Sequence, residues 1–230
     1  MGYKLAGFEV IGCNEIDPKI NAVYLKNHKP KYNFCCDVRE MVNKELPDEL
    51  YNLDILDGSP PCSVFSMAGL RDKAWNVEKK FKEGQKTQKL DDLFIHFLSF
   101  ADKIKPKVIV AENVKGLISG KSKGYVNEIL KKFSEIGYKP QIFLLNSATM
   151  GVPQKRERVF FIAHRKDLNF PKLNLNFNEK PIKYGEFKDK NFVPINKATQ
   201  TYRLWHRKRS SDRNLASILM RTENRNARFR

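Results

Sequence analysis

Leu53-Asp54-Ile55-Leu56-Asp57-Gly58-Ser59-Pro60-Pro61-Cys62-Ser63-Val64-Phe65-Ser66 is the stretch whose punctuation decides the fold. Leu53 to Leu56 has the composition of a short buried parallel strand. Gly58 and the pair Pro60-Pro61 then stop the strand and force a rigid turn. Cys62 is thereby held at the carboxyl end of a strand, where an open α/β sheet gathers its ligands and chemistry. A bare Pro-Cys pair would suit a loop with an incidental thiol; the whole stretch points to a site.

The flanking sequence alternates strands and helices. Phe8 to Glu15 reads as a strand closed by an acid, and Ile16 to Asn27 as a helix with Asp17 as N-cap and Pro18 in its first turn. A carboxylate at such a strand end suits a ribose diol, because it accepts from both hydroxyls; a helix-capping acid is the competing reading. Tyr32 to Asp37 is the next strand, and Asp37 also suits a plain strand-end turn. Met67 to Lys89 is polar and basic, as in a loop that covers a site or in a solvated linker. Leu90, Leu93, Phe94, Phe97, Leu98, Ala101 and Ile104 form a helical stripe, mainly core. Lys107 to Val114 is a buried strand ending in Glu112-Asn113-Val114. Val126 to Ile136 predicts an amphipathic helix stopped by Gly137. Gln141 to Leu145 and Val159 to Ala163 read as an antiparallel pair, with Gln154, Arg156 and Arg158 just before the second strand.

The 230 residues suffice for one sizeable α/β core. A net charge of +17 favours a polyanionic partner, nucleic acid ahead of a membrane surface; a ribosome-associated protein would share that balance. Four cysteines without a CxxC pair argue against a metal site. Cys13, Cys35 and Cys36 read as buried reduced thiols. No signal peptide opens the chain and no apolar run reaches membrane-spanning length, so a reducing cytoplasm is expected. From Pro171 onward the composition changes, which predicts domains at 1–170 and 171–230. Thr201 to Arg230 is strongly basic and interleaved with Tyr202, Trp205 and Phe229, a mixture suited to phosphate and base contact.

Gly58 to Ser66 resembles the catalytic loop of the cytosine-C5 DNA methyltransferases, Gly-Ser/Pro-Pro-Pro-Cys-Gln/Ser-x-Phe-Ser. Glu112-Asn113-Val114 and the Gln-x-Arg-x-Arg pattern from Gln154 to Arg158 resemble two further marks of that family. The resemblance runs in order from about Gly7 to Asp167. It implies an α/β, Rossmann-like, S-adenosylmethionine-dependent methyltransferase core with a mostly parallel sheet, followed by the start of a target-recognition region. It implies Cys62 as nucleophile, with Glu112, Arg158 and Arg156 as the other catalytic positions. Glu15, Ile16, Asp37, Val38, Pro60 and Leu93 are implied for S-adenosyl-L-methionine, and Ser59, Pro61, Ser66, Asn113, Val114 and Gln154 for the substrate. Double-stranded DNA is the implied partner, in a bacterial or phage restriction-modification setting.

The family opens with a strand and a turn of the type Asp-Leu-Phe-x-Gly-x-Gly-Gly, which this chain lacks. Its closing segment is also not matched. The expectation is therefore an incomplete core with unpaired strand edges, as one subunit of a split enzyme with a complementary methyltransferase subunit, or as a truncated product. A catalytically inactive DNA-binding remnant and an RNA cytosine-C5 methyltransferase are the alternatives.

Overall fold

The computed structural model describes residues 2–61, 92–119, 123–183, 186, 196–212 and 218. The chain divides into two compact units, 1–182 and 183–230. The first holds α1 (Gly2–Leu5), β1 (Gly12–Asn14), α2 (Pro18–His28), β2 (Tyr32–Phe34), α3 (Val38–Met41), β3 (Ile55–Gly58), α4 (Leu93–Ile104), β4 (Val108–Val114), α5 (Lys123–Glu135), β5 (Tyr138–Asn146) and β6 (Glu157–Arg165). The second holds α6 (Gln200–Trp205). There Thr199 caps the helix by accepting from the Tyr202 N–H, and Lys208 lies 4.5 Å over the Trp205 ring.

The local signals act as the sequence suggests. Asp17 accepts from the N–H groups of Lys19 and Ile20, satisfying two orphan donors of α2. Gly137, at φ +91, turns the chain out of α5. Strand β1 is shorter than Phe8 to Glu15 suggests. Gly7 at φ +87 redirects the chain after α1, and Phe8 packs edge-on against Tyr3 instead of pairing. Strand β2 likewise stops at Phe34, because Asp37 caps α3 by accepting from the Arg39 N–H at 2.9 Å. With the strand ended, Cys35 is exposed and Cys36 only half-buried, as is Cys13, so the expectation of three buried thiols is corrected; all three are free.

The strands form two sheets. Strands β1 and β2 pair in parallel, Gly12 opposite Tyr32 through Asn14 opposite Phe34. The larger sheet has the order β3-β4-β6-β5, with β3 parallel to β4 and the other two pairings antiparallel. The fold is thus α/β, with parallel crossovers first and a long hairpin at the far edge. Strand β4 alternates strictly: Ile109, Ala111 and Asn113 are buried on one face, while Glu112 points to the other.

The buried face of β4 meets α4 and α5. Phe94, Phe97, Leu98 and Ala101 pack with Ile129, Phe133 and the β6 residues Val159, Phe161 and Ala163. The Phe94 and Phe161 rings meet at 5.3 Å edge-to-face, and Phe133 stacks on Phe161 at 6.3 Å. Each such side chain withdrawn from water contributes roughly 1.5–3 kcal/mol before entropic losses. The Tyr138 phenol is buried among them and donates to the Pro106 carbonyl at 2.6 Å; its burial pushes its pKa up to about 12. A second cluster, Met41, Phe100 and Ile104, packs against Phe34 of β2 and Leu56 of β3, so one helical layer covers both sheets. Among the described residues no helix is long and apolar enough to cross a membrane.

Strand β3 touches α4 most closely at Gly58, where any added methyl group would overlap the Phe97 ring. Gly58→Ala should therefore destabilise the chain by about 1–3 kcal/mol, the usual consequence of overpacking. Urea unfolding of the purified variant, with an unchanged slope and a lowered midpoint, checks this.

Candidate active site

The end of β4 organises the site. Asn113 is buried and donates its Nδ2–H to the Pro60 carbonyl at 3.0 Å, while its Oδ1 accepts from the Val114 N–H at 2.9 Å. The turn after β3 is thus tied to the neighbouring strand, and Pro60 itself is buried with Ser59 and Pro61 exposed beside it. Asn113, expected to touch substrate, has both polar atoms engaged in holding this turn. Cys62 and Ser66 lie outside the described residues.

The adjacent residue, Glu112, is on the opposite face of β4. The antiparallel register with β6 sets Val114 opposite Arg158 and Glu112 opposite Phe160. Arg158 can therefore reach across, and its Nε lies 2.9 Å from Glu112 Oε1. Arg156 approaches the same oxygen at 3.9 Å and is half exposed. Arg158 also donates to the Glu157 carbonyl at 2.8 Å, which fixes its guanidinium. The strand leading into β6 is held in turn: Ser147 Oγ accepts from the Arg156 N–H and donates to the Gln154 carbonyl. Gln154 is exposed at this clip, and Val114, opposite Arg158 in the ladder, is partly buried. Gly151, at φ +73, makes the tight turn; its α-carbon is so close to the Glu179 carboxylate that a Cβ would lie 2.8 Å from an oxygen.

A second group of predicted residues gathers at the ends of β1 and β2. Asn14 donates to the Phe34 and Cys36 carbonyls at 3.0 and 2.8 Å, linking the stretch before Glu15 to the stretch before Asp37. Glu15 Oε1 accepts from the Asp17 N–H at 2.9 Å. Arg39 spans from Asp37, at 3.1 Å, to Asp92 at the start of α4, at 2.8 Å. Burial raises the Asp92 carboxyl, but the Arg39 hydrogen bond and charge outweigh it and hold the pKa below the ordinary value. Ile16 is exposed beside Glu15, Val38 is partly buried against the Met41 cluster, and Leu93 is buried in the core. Among the described residues no cluster of three His, Cys, Asp or Glu could hold a metal ion.

One acid was missed by sequence reasoning. Asp57, inside β3, accepts a hydrogen bond from the Tyr3 phenol. It keeps contact with solvent, yet crowding by protein, assisted by the Glu112 charge, raises its carboxyl pKa above the ordinary value. Burial and the Asp57 charge push the Tyr3 phenol up in the same way. An acid within an otherwise apolar strand was the available signal.

The C-5 cytosine-specific DNA methylase family model matches residues 1–228. The Type II methyltransferase M.FnuDI of Fusobacterium nucleatum is 38% identical over 186 residues, covering 80% of this chain and 49% of the relative. M.NgoPII of Neisseria gonorrhoeae, also a Type II methyltransferase, is 32% identical over 180 residues, 75% of this chain and 47% of its own. The chain thus spans about half the length of these curated relatives. Among solved structures, one described as a DNA modification methyltransferase encoded within an E. coli prophage superposes with a TM-score of 0.62 at 22% identity, over 85% of this chain and 53% of that one. That likeness concerns the fold.

Because the Asp57 pKa is raised in the folded state, its ionisation opposes folding. The opposition is absent at pH below the ordinary carboxylate range and complete once pH exceeds the raised folded value. Asp57→Asn should accordingly be more stable than the parent at pH 7, with the difference shrinking to nothing as pH falls below about 3.9. Paired urea titrations across that range test the sign.

Proposed function

The chain belongs to the C-5 cytosine-specific DNA methylase family, and from that premise we propose that it carries the catalytic half of an enzyme that methylates C5 of cytosine in double-stranded DNA. The observation that supports this best is the cluster of Glu112, Arg158 and Arg156 set beside the turn that Asn113 fastens at Pro60.

Cytosine C5 is a poor nucleophile until the ring is activated. Cys62, two residues beyond the fastened Pro60, adds as thiolate to C6 and makes the ring an enamine; loss of the C5 proton from the methylated ring later expels the thiolate and restores the ring. Positive charge nearby favours the thiolate, and the partly exposed Arg156 is suited to supply it. Glu112 holds the N3 edge and the 4-amino group of the base. Both arginines approach its Oε1, and among the described residues none is paired with Oε2, which suits that oxygen to the pyrimidine. Arg158 binds O2 and steadies the charge that develops on the ring. Asn113 acts as a positioning residue, while Ser59, Pro61, Ser66, Val114 and Gln154 surround the nucleotide. The target carbon is inaccessible in a duplex, so the nucleotide must be turned out of the stack.

S-adenosyl-L-methionine supplies the activated methyl group. Glu15 suits its ribose, since among the described residues only its Oε1 is engaged, by the Asp17 N–H. Asp37 faces the adenine amine; both its oxygens contact Arg39, and a carboxylate has lone pairs to spare. Ile16, Val38, Pro60 and Leu93 supply the apolar walls. Residues 1–170 form the catalytic core, and 171–230 lead into the target-recognition region, whose cations meet phosphates. The protein works in the cytoplasm with a complementary methyltransferase polypeptide.

Transfer of labelled methyl groups from S-adenosylmethionine to cytosine in duplex DNA tests this. With the complementary polypeptide present, transfer should vanish in Cys62→Ala and fall about 10²–10³-fold in Arg158→Gln, the scale of a lost charge-stabilising donor. Salt-dependent DNA binding with no transfer under any combination would instead favour an inactive DNA-binding remnant. Arg39→Gln should weaken S-adenosylmethionine binding, read by calorimetry, without altering DNA affinity.

A further inference from the structure

Beyond β6 the chain turns on a left-handed residue, Asn169 at φ +47, and continues as a segment, 170–179, that belongs to no helix or strand. Its sequence alternates: Leu173, Leu175 and Phe177 are separated by Asn174 and Asn176, the period of an extended chain. Three contacts hold it. The Phe170 ring lies 5.8 Å from that of His164. The Gln141 side chain imitates a peptide group: its Nε2–H donates to the Leu173 carbonyl at 3.0 Å, and its Oε1 accepts from the Leu173 N–H at 2.8 Å. Past the end of β5, the Glu179 N–H donates to the Thr149 carbonyl at 3.1 Å, and the Glu179 carboxylate sits against Gly151.

Register puts these contacts on one side of the sheet. Glu112 stands opposite Phe160, and Phe160, His164 and Gln141 share that face by alternation. The six steps from Leu173 to Glu179 reach about 20 Å at most. The part of β5 from Gln141 to Asn146 already takes about 17 Å, so the segment has little slack. The turn it grips, 147–156, joins β5 to β6. Its base is closed by Ser147, whose N–H donates to the Arg156 carbonyl and whose Oγ accepts from the Arg156 N–H, both at 3.1 Å. Its tip is open to solvent, with Gly151 to Arg156 all exposed. Among the described residues, Glu179 supplies the one backbone hydrogen bond that reaches the tip from outside the turn. The two arginines therefore differ in support. Arg158 lies inside the ladder, opposite Val114 on one side and Leu145 on the other. Arg156 lies outside the ladder and takes its direction from the turn.

We propose that residues 170–179 form a strap, fastened at Gln141 and Glu179, that holds the 147–156 turn and thereby directs Arg156 at Glu112. Gln141 and Glu179 are then positioning residues for a side chain that neither of them touches. The strap is also the approach to the second unit, which begins at Lys183, four residues after Glu179. The linker, and not the sheet alone, sets one of the two arginines at the acid. What Arg156 does there rests on the function proposed above; the fastening does not.

Amide hydrogen exchange, read by NMR on the full chain, tests the fastening. Two variants are compared with the parent: Gln141→Leu, which removes both bonds to Leu173, and Glu179→Pro, which removes the N–H that reaches Thr149. In each, the amides of Val152 and Arg156 should exchange at least ~10-fold faster, while those of Phe161 and Ala163 in β6 keep their parent rates. Acceleration confined to Leu173, parent rates throughout, or acceleration that extends to Phe161 and Ala163 overturns the inference. The methyl-transfer assay described above supplies the second arm. In Gln141→Leu, kcat should fall about 10-fold with the KM for DNA kept. In an Arg156→Gln background the same substitution should cost nothing further, because the residue it positions is gone. An unchanged kcat, or a loss that persists in full in that background, overturns the positioning role. If exchange responds as expected and the parent never methylates DNA, the functional proposal alone fails.

Discussion

A single buried amide, Asn113, fixes the turn that follows β3. Its hydrogen bond to Pro60 joins the turn after β3 to the end of β4, two elements more than fifty residues apart in sequence. Two prolines stiffen the turn but cannot place it, since they donate nothing. Placement comes from the neighbouring strand, whose own position is set by the aromatic layer of α4 and α5. Core packing thereby determines the approach of a loop that itself contributes little to the core.

The next residue shows how a strand serves two masters. Alternation sends Asn113 into the protein and Glu112 to the other side, so adjacent residues serve the turn and the ion pair without competing. The antiparallel partner then brings Arg158 within 2.9 Å of the acid. Pairing two partly exposed charges stabilises the fold only modestly. Its value lies in orientation: the guanidinium fixes the carboxylate through one oxygen, Oε1.

Much of this was legible in the sequence. The helix read from the stripe between Leu90 and Ile104 forms over Leu93–Ile104 among the described residues, the strand expected at Leu53 to Leu56 forms two residues later, and the pair flanking Gln154 runs longer than expected, over Tyr138–Asn146 and Glu157–Arg165. Glu112, Arg156 and Arg158 were named from short patterns, and the ladder between β4 and β6 brings them together. What escaped was long-range. Nothing local to Asn113 says that it faces a proline carbonyl instead of solvent, and nothing local to Tyr3 predicts a bond to Asp57. Cys35 failed for a simpler reason: its apolar neighbours suggested a strand, but the capping preference of Asp37 ended the strand before it.

Arg39 has a mechanical consequence. It ties Asp37 to Asp92, and Asp92 heads the helix whose Phe97 ring bears directly on Gly58. Helix α4 runs twelve residues and is held at both contacts. It therefore behaves as a lever with one arm at the acidic end of β2 and the other beneath the strand that leads to Cys62. Close packing connects the two arms, so the acidic end of β2 and the strand that leads to Cys62 share one support.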